Sequence, residues 1–243
     1  MTEQSFVYPR IDTARSIVRG ERGIIDREIE AFSTFRTRLS QLETTANGGV
    51  LAASSSTQLA PARGVPPQRI VQAYRNSVLA MNHYAAEYDE PLVVHVEEEF
   101  NPEIRALFES SRLITPVQCR LLDRAVDEAI RRRRKMVREL SREDASLARV
   151  ADRLGVIEGE LIDLINPGGS HGLHREELLD IQQRCDELAS RRQRTIHERP
   201  SASIAGIGAR SLVAYLYSDH EHRFPALRAI ADLAALVVEK LDN

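Results

Sequence analysis

Apolar residues recur at three- and four-residue steps along most of the chain, which is the period of amphipathic helices. The first such stripe runs from Ile25 to Leu42 and predicts a helix from Asp12 to about Glu43, within an N-terminal segment covering 1–44. We find no segment in which apolar and polar residues alternate, as they do in a half-buried strand. The pattern therefore predicts an all-α protein.

The first helix is followed by a stretch without helical periodicity. Residues 45–66 are rich in Ser, Ala, Gly and Pro and carry few charges. This composition is typical of a flexible linker, and a connection of that length is unusual inside a compact domain. Two arrangements stay open: the first helix packs on its own chain, or it reaches a second protomer.

Residues 67–243 are predicted to form a helical body. The apolar stripe that begins at Pro67 continues to Tyr88 and predicts one helix over this range. Proline at the first helical position, often after an Asx cap, marks a helix start. Prolines of this kind lie at three further positions. Pro91 and Pro102 begin two short helices, and Pro225 begins the last helix of a C-terminal pair.

The longest predicted helix opens at Thr115-Pro116 and ends at Ile165, before the breaker sequence Asn-Pro-Gly-Gly. A second stripe, within 173–198, predicts a helix that returns along it. Leucines at positions 140, 147, 154 and 161 repeat every seven residues and predict a coiled-coil-like seam. The sequence thus favours a long antiparallel helical hairpin, 116–198, with additional packed helices.

The segment 146–165, SLARVADRLGVIEGELIDLI, also matches the apolar pattern of a helix-turn-helix with its turn near Gly155. A DNA-associated transcriptional regulator is therefore an alternative. However, the would-be recognition helix carries Glu158, Glu160 and Asp163 and no basic residue. These carboxylates would repel phosphates, and the leucine seam needs an unbroken helix through Gly155. We therefore consider nucleic acid an unlikely partner.

The run RRRRK at 131–135 precedes the heptad leucines and invites a third interpretation, an intermolecular leucine zipper. Acidic residues lie four positions before Arg131 and Arg132, an arrangement that stabilises a single helix. The stripe in 173–198 offers the seam a partner within the chain. A closed hairpin is favoured over self-association through the seam, and the basic run is interpreted as a solvated face.

Two pairs of histidine and glutamate are the strongest candidates for chemistry. His83 and Glu87 are four residues apart, and His95 and Glu99 repeat that spacing on the next helix. Two imidazoles and two carboxylates could hold Zn, Mn or Fe, so a metal-binding helical protein is a weaker alternative. The same spacing is also common in ordinary surface pairs. We find no catalytic set and no motif for an organic cofactor.

Composition narrows the class of protein. Of the 243 residues, 42% are apolar and only 5% aromatic, and the net charge is −3, so the chain as a whole is not a basic nucleic-acid binder. The two cysteines, Cys119 and Cys185, lie in no metal-binding motif and are expected to be reduced and buried. Without a signal-peptide pattern or a membrane-length apolar stretch, the prediction is a cytoplasmic protein with no membrane contact.

Three stretches resemble an uncharacterised all-helical protein family of halophilic archaea. They are AYRNSVLAMNHYAAEYDEPLVVHVEEEF, the long helix with its EDASL step, and YLYSDHEHRFPALRAIA. The resemblance implies an archaeal cytoplasm of high salt but no activity and no functional residues. Taken together, the sequence predicts a non-enzymatic helical scaffold for protein interaction or regulation, whose partner is another protein or a second copy.

Overall fold

The computed structural model describes residues 8–48, 64–81, 91–165, 174–198 and 212–242, and these form eight helices. The helices are α1 (Tyr8–Gly48), α2 (Pro67–Arg75), α3 (Leu92–Glu99), α4 (Pro102–Phe108), α5 (Pro116–Ile165), α6 (His174–His197), α7 (Leu212–Leu216) and α8 (Pro225–Leu241). Within the described ranges the only β-type pairing is an isolated bridge. The predicted all-α class is confirmed.

The described residues divide into two units, and the two longest helices contribute to both. The first unit contains α1 up to Arg22, α5 from Arg138, and the helices α6, α7 and α8. The second unit contains α1 from Gly23, α5 up to Val137, and the short helices α2, α3 and α4.

In the second unit, α1 and α5 run antiparallel and are tied by ion pairs. Arg36 donates to Asp123 at 2.7 Å and to Asp127 at 2.9 Å, while Glu28, earlier on α1, accepts from Arg133, later on α5. The short helices α2, α3 and α4 pack next to one another. Tyr74 lies at the centre of this core with its ring edge-on to Phe32, Phe35, Phe100 and Phe108.

The segments that precede α2 and α5 are joined by an isolated antiparallel bridge between Val65 and Ile114. The amide of Val65 donates to the carbonyl of Ile114 at 2.9 Å, and the amide of Ile114 donates back at 2.8 Å. A Cβ on Gly64 would lie 2.8 Å from that same Ile114 oxygen, so the close approach of the two backbones requires glycine.

The second helix is shorter than its apolar stripe predicts. It ends at Arg75, followed by turns through Met81, whereas the pattern predicts one helix to Tyr88. Ser77 donates its hydroxyl to the carbonyl of Ala73 at 2.6 Å, a local bond that competes with continued helix. Val78, beyond this end, is still fully buried, so the stripe indicated burial correctly and helix length wrongly.

In the first unit, α5 and α6 form the predicted antiparallel hairpin. Arg192, near the end of α6, binds Glu143 early in this part of α5, and Arg184 binds Glu160 further along. Helix α6 also packs against α8. The N-terminal part of α1 joins the same unit, where Arg15 donates to Asp144 at 2.8 Å.

The sequence left open whether the first helix packs on its own chain or reaches a second protomer. Helix α1 packs on α5 of its own chain in each unit, which is the arrangement in cis. Most of the predicted linker, namely residues 49–63, lies outside the described residues.

The helix-turn-helix alternative, with its turn near Gly155, does not fit the structure. Helix α5 continues through Gly155 to Ile165, so the segment 146–165 has no second helix to place in a DNA groove. A glycine inside a helix costs only about 1 kcal/mol relative to alanine, and burial of the surrounding leucines outweighs this cost. The leucines of the heptad seam are 0–1% exposed within the chain, which also removes the intermolecular zipper through that seam.

Both cysteines are free and buried, as predicted, with Cys119 in the second unit and Cys185 in the first. Burial raises the pKa of each thiol from 9.0 to about 11. We expect neither thiol to react with iodoacetamide in the native protein at pH 8, and both to react in urea, as mass spectrometry would show.

The same shift predicts an alkaline loss of stability. The unfolded chain releases the thiol protons above about pH 9 and the folded chain only near pH 11, so unfolding becomes easier between these values. The double variant Cys119→Ala with Cys185→Ala should show a shallower decline of unfolding free energy over this range. An equally steep decline would contradict the assignment to the thiols.

Candidate interaction surface

The structure describes two of the four candidate metal ligands, and both are buried on α3. His95 is 5% exposed and Glu99 is 8% exposed, whereas His83 and Glu87 lie outside the described residues. Glu99 accepts hydrogen bonds from both terminal nitrogens of Arg133, at 2.7 and 2.8 Å, and from Arg132 at 3.1 Å. A metal ion at Glu99 would have to compete with these two cations.

Within the described ranges, no group of three or more His, Cys, Asp or Glu side chains is arranged to hold a metal ion. The ring of His95 instead lies 6.0 Å from the ring of Tyr74, in the aromatic core. The metal site with His83 and Glu87 stays a prediction that the described residues do not test.

Arg133 is the centre of a buried charge cluster, which the interpretation of RRRRK as a solvated face did not anticipate. Its side chain is 7% exposed, donates to Glu28 at 2.6 Å, and lies 4.3 Å above the ring of Phe32. Burial disfavours the guanidinium charge, but the hydrogen bonds and attraction from Glu99 and Glu28 outweigh this and raise the pKa of Arg133. The cluster joins α1, α3 and α5.

The first unit has a buried cluster of its own. Arg192 donates to both carboxylate oxygens of Glu143, at 3.1 and 2.7 Å, and to the hydroxyl of Ser146 at 2.9 Å. The hydroxyl of Tyr217, which follows α7, donates to Glu143 at 3.1 Å. The carboxylate is 0% exposed, so these groups hold three segments of the first unit together.

The open side of the α5–α6 hairpin is different, because apolar and charged groups there meet solvent. Val156 is 58% exposed, although valine on a helix of this length usually packs inside. It borders a groove of about 380 Å³ between the two helices, whose floor includes Ile157 and Leu188. We call this surface the hairpin face and define it by Arg149, Arg153, Val156, Glu160 and Asp163 of α5, with the adjoining groove.

The hairpin face changes charge along its length. A second groove, of about 540 Å³, adjoins Glu160 and Asp163 on α5 and is lined from α6 by Glu176, Glu177 and Asp180. Arg149 and Arg153, earlier on α5, are exposed and supply positive charge at the other end. Arginines therefore predominate on α5 before Val156, where Asp152 also lines the groove, and carboxylates predominate after it.

An ion pair crosses the hairpin between the two grooves. The guanidinium of Arg184 binds the Glu160 carboxylate, which remains 45% exposed, and lowers the pKa of Glu160 despite the opposing effect of burial. Exposed pairs of this kind contribute little to stability. Its consequence for the surface is that Glu160 stays ionised and in place.

The sequence profile of DUF7260, a domain of unknown function, matches residues 9–240. The chain belongs to the DUF7260 family. The match covers nearly all of both units, so the DUF7260 profile includes the hairpin face and both buried clusters. No curated protein matches this DUF7260 chain, and no solved structure matches it. Among its described helices, none is both long enough and apolar enough to cross a membrane.

Sequence reasoning did not find the hairpin face in this DUF7260 chain, although the signal was present. Arg149, Val156 and Asp163 follow one another at seven-residue intervals, beside the buried seam of Leu147, Leu154 and Leu161. The sequence analysis used the carboxylates of Glu160 and Asp163 only as an argument against DNA binding. Only burial distinguishes the two interleaved stripes, because each has the same period.

Proposed function

We propose that this chain is a non-enzymatic helical scaffold for protein interaction or regulation, and that it binds protein through the hairpin face. The observation that carries the proposal is the exposure of Val156 beside a groove with an apolar floor and a charged rim. An apolar centre inside a polar rim is the usual anatomy of a protein-binding surface. A helix face that only contacts water requires neither an apolar centre nor a charged rim around it.

The buried charges support the non-enzymatic part of the proposal. In each unit the most buried carboxylates are engaged by arginine: Glu143 by Arg192, and both Glu28 and Glu99 by Arg133. A general acid or base must exchange its proton with a substrate in a cleft. Carboxylates that are locked to guanidinium groups in the core instead specify how helices pack.

The proposed compartment is the cytoplasm, and the proposed origin a halophilic archaeon. Free buried cysteines are compatible with a reducing compartment. The resemblance to the halophilic archaeal family supports the origin. In such a cytoplasm salt screens exposed charges, so the apolar part of the hairpin face carries more of the binding free energy.

The first alternative, a DNA-associated regulator, lacks its proposed recognition helix, because α5 has no turn at Gly155. The metal-binding alternative rests on His83 and Glu87 together with His95 and Glu99, and loss of bound metal in His83→Ala would be its evidence. We place it second, since Glu99 is already held by Arg133.

Site-specific photo-crosslinking tests the proposed function. Benzoylphenylalanine replaces Val156 in the full chain, which is expressed in its native cells and irradiated. We expect one or a few discrete adducts, because a bound protein covers this position. Val117 is the matched control: it is a valine on the same helix, is 66% exposed, and lies in the other unit. If Val156 gives no more adduct than Val117, the hairpin face is not a binding surface.

A further inference from the structure

We propose that the protein bound at the hairpin face is a second copy of this chain, with its α5 antiparallel to the first. The inference rests on the proposed function, since it names the partner of that surface. Its basis is the order of charges along α5, in which Arg149 and Asp163 are opposite in sign and equally far on either side of Val156.

The spacing along α5 is regular. Arg149 and Asp163 lie seven residues before and after Val156, or about 10.5 Å each way along the helix axis. Arg153 and Glu160 lie about one turn before and after it. At 100° per residue all five side chains fall within an arc of about 80°, and all five are exposed.

A two-fold axis through Val156 would pair Arg149 of each copy with Asp163 of the other. In an antiparallel pair, the residue that faces a given side chain lies equally far on the other side of the axis. Arg149 then faces Asp163 of the second copy. Arg153 is three residues from the axis and faces position 159 of the second copy, one residue before Glu160. Asp152 and Glu160 are each four residues from the axis and face one another, and the like charges there are offset by Arg184, which binds Glu160 in each copy. Because the operation is two-fold, each pairing occurs twice, as in any isologous interface.

The centre of the face is apolar and exposed. Val156 projects into solvent at 58% exposure, and the groove of about 380 Å³ lies directly beside it. Under the same two-fold axis, Val156 of one copy meets Val156 of the other, and the two grooves lie beside this contact. Burial of this apolar surface would drive association, and the charges would set its direction.

Three of the four charges that define the face are open to a partner, whereas Glu160 is paired with Arg184. Within the described residues, neither Arg149, Arg153 nor Asp163 takes part in an ion pair. A uniformly basic protein would be repelled by the first half of the face, and a uniformly acidic protein or a nucleic acid by the second half. A second copy in antiparallel orientation carries both charges in the required order.

The test is a charge exchange, measured on the full chain by sedimentation velocity and native mass spectrometry. The wild type should form a dimer of twice 27.3 kDa that dissociates on dilution. Arg149→Glu alone and Asp163→Arg alone should each raise the dissociation constant at least about 100-fold, because each creates two like-charge contacts. An equimolar mixture of the two variants should form a mixed dimer, since both contacts then join opposite charges.

The mixture separates this interface from any other, because repulsion elsewhere would not be relieved by mixing. Low ionic strength is used, as the Debye length is about 10 Å at 0.1 M salt. Val156→Asp should also give monomers, while Val117→Asp, the same change at an exposed valine in the other unit, should leave the dimer unchanged. Circular dichroism confirms that each variant is helical.

A wild type that stays monomeric up to about 1 mM would overturn the inference. So would a dimer that Arg149→Glu does not weaken, or a mixture that forms no mixed dimer. The cross-linking result distinguishes this failure from failure of the proposed function. An adduct of Val156 with a different protein refutes the second copy alone, whereas no adduct at Val156 refutes both.

Discussion

Replacing Glu143 by leucine is expected to lower the free energy of unfolding by about 3–5 kcal/mol, one of the two largest effects we foresee. The change leaves the guanidinium of Arg192, which is 3% exposed, in the core of the first unit with the Ser146 hydroxyl as its described partner. A buried charge that loses its counter-ion keeps its desolvation cost. Urea denaturation followed by circular dichroism measures the loss.

The double variant Glu143→Leu with Arg192→Met is the informative control. Replacing both members of a buried ion pair by apolar residues of similar volume is often neutral, so part of the stability should return, less the cost of removing Glu143 as the acceptor of the Tyr217 hydroxyl. Glu128→Leu, the same change at a 55% exposed site on α5, should cost less than about 0.5 kcal/mol. A loss below about 1 kcal/mol for Glu143→Leu would show that water reaches Arg192 and that the cluster is not closed.

Arg133→Met should cost the second unit a similar amount, about 3–5 kcal/mol. The variant removes the cation that two buried carboxylates share, Glu28 on α1 and Glu99 on α3. Since Glu99 ends α3, the loss should be partly local. We expect hydrogen exchange to become faster in residues 92–99 before the rest of the unit responds.

Two variants calibrate this result. Arg133→Lys keeps the charge but cannot donate in a fork to Glu99, so it should lose less than methionine does. Arg134→Met changes the exposed neighbour in the same basic run and should be nearly neutral. If both methionine variants have equal effects, Arg133 is not the buried centre of the cluster.

Local chemistry was sufficient to place several helix ends. Helix α5 ends at Ile165, where Asn166-Pro167 was expected to stop it, and α8 begins at Pro225 as its proline indicated. Proline lacks an amide proton and restricts the residue before it, so these boundaries hold in almost any tertiary context. The heptad leucines likewise predicted a continuous helix through Gly155, which is observed.

Charges were predicted less well than apolar residues. The run 131–135 reads as a solvated face, yet its third arginine is buried against carboxylates that are 105 and 34 residues away in the chain. No local rule can bring such groups together. The same limit explains the hairpin face: Val156 and Leu154 look alike in the sequence, and only packing leaves one exposed and buries the other.

The sequence by itself determined the all-α class, the hairpin, the seam and the membership of a family without known function, because periodicity and helix-breaking residues act over a few neighbouring positions. Only the tertiary structure decided that α1 packs in cis on α5, that Arg133 and Arg192 are core residues, and which stripe of α5 remains open. The physical reason is that burial depends on which helix faces are brought together, and amphipathic stripes of equal period can pair in more than one way.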